Sequence, residues 1–262
     1  MRIRVKSDLQ KIPSEITKFE RQVPYATSVA LNRTADEIKR SIVDQMPRVF
    51  DRPTPYTLRS LRVDYARKSD LKAHVTFRDA AGKGTSADKY LSPQVYGGGR
   101  SQKRSERAFE GVGVLKGYLV PGGAAKLDAY GNHSRGQVIQ LLSYFQAFGE
   151  QGYRANATEK GIARLAKISG GKKKGYKKIN GVVYFISRGK GSMSGNREQA
   201  LPAGIWQKKG THGVDVSPVL LSVDAPQYTQ RLPFYETAQE VFGERFEDNF
   251  ASALDAALAS AR

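Results

Sequence analysis

Leu232-Pro233-Phe234-Tyr235-Glu236 opens the last stretch of the chain, and the pattern from there to Arg262 decides the fold. After Pro233 the apolar residues Phe242, Phe246, Phe250, Leu254 and Leu258 recur every fourth position, the spacing of a helix stripe. A closing helix is therefore expected, with this stripe as core or as contact with an oligomer mate or partner. Glu236, Glu240, Glu244, Glu247, Asp248 and Asp255 outnumber Arg231, Arg245 and Arg262 there. The chain as a whole has the opposite sign, since 43 Lys and Arg against 25 Asp and Glu give a net charge of +18. Oppositely signed surfaces on one chain favour association with copies of itself, with an acidic partner or with nucleic acid.

Upstream of this helix the pattern is β-rich. Asn180-Gly181 separates Tyr176-Lys-Lys-Ile179 from Val182-Val-Tyr-Phe-Ile186, and Asn-Gly suits the positive φ values of a two-residue hairpin turn. Gly204-Ile-Trp-Gln-Lys208 and Val219-Leu-Leu-Ser-Val223 are further expected strands, divided by a glycine-rich turn at Gly210 to Gly213. Leu58 to Asp64 and Leu71 to Arg78 predict another hairpin.

At the other end, Leu9, Ile12, Ile16 and Phe19, then Val29, Ile38, Ile42 and Met46, predict two helices separated at Pro24. Pro47 to Tyr56 is expected to be an extended loop, and Tyr90 to Tyr96 a short extended or one-turn piece between glycine runs. Arg100 to Glu110 resembles a basic helix, Leu119 to Ala124 a turn, and Ser134 the cap of a helix reaching Phe148. The expected architecture is α+β: both terminal helices packed on one mainly antiparallel sheet made of the Leu58 to Arg78 hairpin and the Tyr176 to Val223 strands. The whole, residues 1–262, is read as a single domain with a helical and loop insertion at about 90–169.

Glu159 to Lys178 is the sharpest shift in composition, with Lys160, Arg164, Lys167, Lys172, Lys173, Lys174, Lys177 and Lys178 around Gly170-Gly171. Together with Arg100, Lys103 and Arg104, Lys172, Lys173, Lys174, Lys177 and Lys178 are the candidates for contact with a polyanion or an acidic partner. A basic chain with pI ≈ 10.0 admits nucleic acid as that partner.

Chemistry-bearing motifs are few. Cys 0 removes disulfides, thiol nucleophiles and cysteine metal sites. His74, His133 and His212 lie far apart in sequence, and no metal or other cofactor is expected. Gly191-Ser-Met-Ser-Gly195 holds Met193 where a nucleophile elbow needs serine, and Gly111-Val-Gly113 lacks the third glycine of a dinucleotide loop. Asp128 with Glu150, or Asp51 with Asp64, would be acid-base pairs only if the fold brought them together. A noncatalytic protein is expected. The start of the chain lacks a signal-peptide core, and no stretch has the roughly 20 apolar residues of a membrane span; a soluble protein without membrane contact is expected.

Val23-Pro-Tyr-Ala-Thr-Ser-Val-Ala-Leu-Asn-Arg-Thr-Ala35, Pro202-Ala-Gly-Ile-Trp-Gln-Lys208, Pro218-Val-Leu-Leu-Ser-Val223 and Leu232-Pro-Phe-Tyr-Glu236 resemble the prophage minor tail protein Z family of tail-completion proteins. Pro53-Thr-Pro-Tyr-Thr-Leu-Arg-Ser-Leu-Arg-Val63 is similar to the link into the first strand of phage tail-completion and neck components. Tyr90 to Ser169 departs from the short pattern. The resemblance implies a noncatalytic virion protein, assembled in the host cytoplasm into a homo-oligomeric ring of six copies, touching other tail or neck proteins and DNA in the channel. The alternative is a DNA-binding packaging or nucleoid-type protein that uses its basic loop; a virion-borne lytic enzyme or nuclease would need a converging carboxylate or histidine cluster.

Overall fold

The structure is a computed structural model that describes residues 15–78, 85–111, 113–145, 177–179, 182–194, 197–209 and 215–260. It is α+β, and the chain divides into two compact units, 1–97 with 229–262, and 98–228.

The first unit is built on a pair of long antiparallel helices, α1 (Glu15–Val49) and α6 (Phe234–Ser260). Their register is set by polar bonds: Gln45 and Thr237 exchange hydrogen bonds at 2.9 and 3.1 Å, and Asn249 Nδ2 donates to Thr34 Oγ1 at 3.1 Å. The same register sets Ala30 opposite Ala253 and Ala26 opposite Ala257, all buried. Small side chains thus fill the buried seam of both helices at that end. Toward the other end larger residues take over, and Ile38, Ile42, Met46, Leu61, Val95, Leu232 and Phe234 form a core. Fully burying each large aliphatic there stabilises by about 1.5–3 kcal/mol.

Strands β1 (Leu61–Asp64) and β2 (His74–Phe77) form an antiparallel hairpin that packs on α1. Asn32 on α1 clamps the chain just after β1, its side-chain amide accepting from Ala66 N–H at 2.7 Å and donating to Ala66 C=O at 3.1 Å. A short turn of helix, α2 (Pro55–Leu58), capped by Thr54, leads into β1. Helix α3 (Ala87–Tyr96) then runs to Gly97. The Gln94 carbonyl accepts both the Arg231 and Leu232 N–H groups, at 2.8 and 2.9 Å, which fixes the approach to α6.

The second unit contains helices α4 (Arg104–Gly111) and α5 (Arg135–Tyr144) and a five-stranded antiparallel sheet in the order β3-β9-β8-β5-β4. Its strands are β3 (Tyr118–Pro121), β4 (Lys177–Ile179), β5 (Val182–Ser187), β8 (Gly204–Lys209) and β9 (Asp215–Val223). A two-stranded ribbon, β6 (Met193–Ser194) with β7 (Arg197–Glu198), extends from it. Phe109, Leu119, Leu141, Leu142, Ile205 and Val219 centre the core of this unit. Ile179 pairs with Val182 in the β4–β5 ladder, while the Asn180-Gly181 turn itself lies outside the described residues. Pro218, which has no N–H for the ladder, sits where the β8–β9 register shifts, a position that tolerates proline. At Gly204 an added Cβ would overlap the Leu220 carbonyl of the neighbouring strand, so only glycine fits.

Several expectations are corrected. The Leu58 to Arg78 hairpin does not join the Tyr176 to Val223 strands in one sheet; each unit has its own. The terminal helices pack on each other and on the hairpin. Pro24 does not divide α1, because the length of buried contact outweighs the roughly 3 kcal/mol that one interior proline costs. Tyr90 to Tyr96 is helical through Pro93, and part of Leu119 to Ala124 is strand β3, paired with β9. The Pro47 to Tyr56 loop is helical up to Val49 and from Pro55. The turn at Gly210 to Gly213, the Ser7 to Ser14 part of the first helix and residues 146–148 of the Ser134 helix lie outside the described residues.

Candidate functional site

In an α-helix each residue is turned about 100° from the last, so positions four apart form a slowly rotating row. On α6 these rows have different chemistry. Thr237, Val241, Asn249, Ala253 and Ala257 lie on the row toward α1, interrupted by the exposed Arg245, with Val241 against the core and Asn249 bonded to Thr34 and Glu37. One residue further round, Phe242, Phe246, Phe250, Leu254 and Leu258 form an apolar row. Phe242 is 44% exposed and Leu258 38%, while Phe246, Phe250 and Leu254 are half-buried. The rings stack along the helix, with centroids 4.8 Å apart for Phe242 and Phe246 and 6.3 Å for Phe246 and Phe250. The stripe expected as core or contact is thus incompletely used within the described residues.

Beyond it the helix is acidic. Glu247 and Asp255 border the aromatic row, and Glu236, Glu240, Glu244 and Asp248 are four exposed carboxylates in succession on another row, which continues as Ser252 and Ala256. Among the described residues none of these six carboxylates has an ion-pair partner; Glu236 accepts a hydrogen bond from Gln230 at 3.0 Å. Carboxylates four apart on one helix repel, which costs about 0.2–0.5 kcal/mol per pair. Glu236, in the first turn, is held below its ordinary value by backbone N–H groups, so it is from Glu240 onward that the helix keeps this surface against its own stability.

The cationic candidates are dispersed. Arg100 turns inward: both its terminal nitrogens bind the Glu106 carboxylate, at 2.6 and 2.8 Å, and its guanidinium lies 4.7 Å from the Tyr118 ring centre. Glu106 occupies the third position of α4 and reaches back to the Lys103 N–H at 2.6 Å, half of a capping box, while accepting the Leu119 N–H at 3.0 Å. Burial pushes the Glu106 carboxyl up, but the bonds from Arg100, Leu119 and Lys103 outweigh it and hold it below the usual carboxylate value. Its bond to Glu106 in turn holds the Arg100 guanidinium above its ordinary value. Arg100 is therefore not the outward cation the sequence suggested, because its charge is already matched. Lys103 and Arg104 remain exposed. Lys177 and Lys178 lie on β4, an edge of the sheet; Lys172, Lys173 and Lys174 lie outside the described residues.

Sequence reasoning missed Glu106. The signal was present in its place three residues after the first helical cap position, where a glutamate closes a capping box. Nearby, His133 Nε2 lies 2.8 Å from Gln137 Oε1, a buried amide oxygen that also accepts the Lys126 N–H at 2.6 Å. Desolvation lowers the His133 pKa, more than the Gln137 contact raises it, and the Lys103 charge adds to the lowering. The carboxylate pairs stay apart in role. Asp128 closes a turn by accepting the Tyr130 and Asn132 N–H groups, while Asp51 pairs with Arg52 and Asp64 with Arg62; Glu150 and His212 lie outside the described residues. Among the described residues no cluster of three metal-ligating side chains occurs, and no helix is long and apolar enough to cross a membrane.

Compared with known proteins, the chain matches no family model, no curated protein and no solved structure.

Proposed function

We propose that this chain is a structural component of a bacteriophage virion, a minor tail or tail-completion protein that joins the tail to head-proximal parts by assembling with copies of itself and with neighbouring neck or tail proteins. The observation that carries this reading is the outer surface of α6. A 27-residue helix buries Phe234, Thr237, Ala253 and Ala257 and presents stacked phenylalanines beside unpaired carboxylates, a combination suited to a protein contact. The overall charge of +18 supplies the complementary sign. The resemblance of the segments around Pro24, Trp206 and Pro233 to tail-completion proteins gives the contact its setting, and noncatalytic work at the neck fits the structural, internally satisfied ion pair at Arg100 and Glu106.

Electron microscopy of the purified full chain, and immunolabelling of phage particles, tests the proposal. Rings of about six copies and label at the head-proximal end of tails are expected. A protein that stays monomeric at every concentration and is missing from particles overturns it. The DNA-binding alternative draws on the lysine-rich stretch at 172–178 and is weakened by the capture of Arg100. Retention on duplex DNA falling steeply with salt would favour it.

A further inference from the structure

We infer that the aromatic row of α6 receives the basic 160–174 stretch of a second copy of this chain. The inference rests on the proposed self-assembly and goes beyond it by naming both surfaces of the junction.

The receiving surface is Phe242, Phe246, Phe250, Leu254 and Leu258, a strip about 24 Å long by helical rise, with Glu247 and Asp255 along its solvent side. Two copies of α6 do not fit face to face. The helix carries six carboxylates and one arginine, and apposing two such surfaces sets like charges against each other. The edges of the five-stranded sheet are also poor seats: β4 carries Lys177 and Lys178, and β3 ends at Pro121, features that discourage edge pairing.

One segment of the sequence has the complementary chemistry. Between Lys160 and Lys174 there are six cations and no carboxylate, and Ile162, Leu165 and Ile168 recur every third residue among Lys160, Arg164 and Lys167. Apolar side chains of this stretch meet the phenylalanines while its cations meet Glu247 and Asp255, which border them. Such a contact is head-to-tail: each copy offers a helix to one neighbour and a basic stretch to another, so the series closes into a ring or runs on as a filament.

The test is the size of the full chain in solution, by sedimentation velocity and light scattering across protein and salt concentration, with helicity followed by circular dichroism. One variant carries Phe246→Asp and Phe250→Asp, the other Arg164→Glu and Lys167→Glu; a milder helix variant carries Glu247→Lys and Asp255→Lys. Wild type is expected to assemble, less so at high salt. Each variant alone is expected to be monomeric, and an equal mixture of the first two to stop at dimers, because only one intact junction can form between them. Variants that assemble like wild type, or a mixture that remains monomeric, overturn the inference and leave self-assembly standing. A wild-type chain that is monomeric throughout and absent from particles overturns the underlying reading as well.

Discussion

Phe242 and Phe246 stack with ring planes 14° apart on a row of α6 that lies one residue round from its α1-facing row. This division of one helix into rows separates the effects of substitution on stability. Phe242 is 44% exposed, so Phe242→Ser removes little native packing, whereas Ala253 is 3% exposed within the helix pair. Urea denaturation is expected to place Phe242→Ser within about 1 kcal/mol of wild type, and Ala253→Leu about 1–3 kcal/mol below it through overpacking.

On the acidic row, Glu244→Lys converts two repulsive pairs, with Glu240 and Asp248, into attractive ones, and thermal melting is expected to show a gain of a few tenths of a kcal/mol per pair. Assembly measured on the same protein is expected to weaken. A variant that gains stability and keeps full assembly shows that the row has no role in association.

Glu106→Ala leaves the Arg100 guanidinium, whose side chain is 17% exposed, without its carboxylate, and also frees the Leu119 and Lys103 N–H groups. A loss of about 3–5 kcal/mol is expected. Trp206 is the single tryptophan and lies within the 98–228 unit, its indole N–H donating to Pro202 C=O at 3.0 Å, so its fluorescence reports the unfolding of this unit.

Acid acts on the same unit in two stages. His133 is held below its ordinary 6.5, so its neutral form contributes stability above that pH, lost as pH falls through the lower folded value. Glu106 is held below its ordinary 4.5, so its ionised form contributes stability that is lost only in more acid solution. Trp206-monitored melting is expected to fall first below about pH 6.5 and again below about pH 4.5. Glu106→Gln removes the second fall and leaves the first.

Gly204→Ala forces a Cβ onto the Leu220 carbonyl, which is backbone of a central strand and cannot turn aside. A destabilisation of about 1–3 kcal/mol is expected by Trp206 fluorescence in urea.

Sequence signals are legible where one local interaction dominates. Asn180-Gly181 announces its hairpin, and Leu141 and Leu142 the buried side of α5, because turn chemistry and periodicity are local. Pro24 and Pro93 mislead for the opposite reason: each is a helix breaker in isolation, and only tertiary burial, which no local window contains, overrides it. The Tyr176 to Val223 strands are legible as an antiparallel sheet, but its edge strand β3 is not, because it finds its partner β9 about a hundred residues later, a pairing with no periodic trace. At the candidate site the aromatic spacing is plain in the sequence, while the inward turn of Arg100 depends on a carboxylate six residues on and on two backbone amides.

Gly98 and Tyr228 exchange backbone hydrogen bonds, both at 2.9 Å, where the chain enters and leaves the 98–228 unit. The 98–228 unit thus begins and ends at one point, with its two ends hydrogen-bonded to each other. Adjacent ends are the geometry that insertion of one compact unit into a longer chain requires.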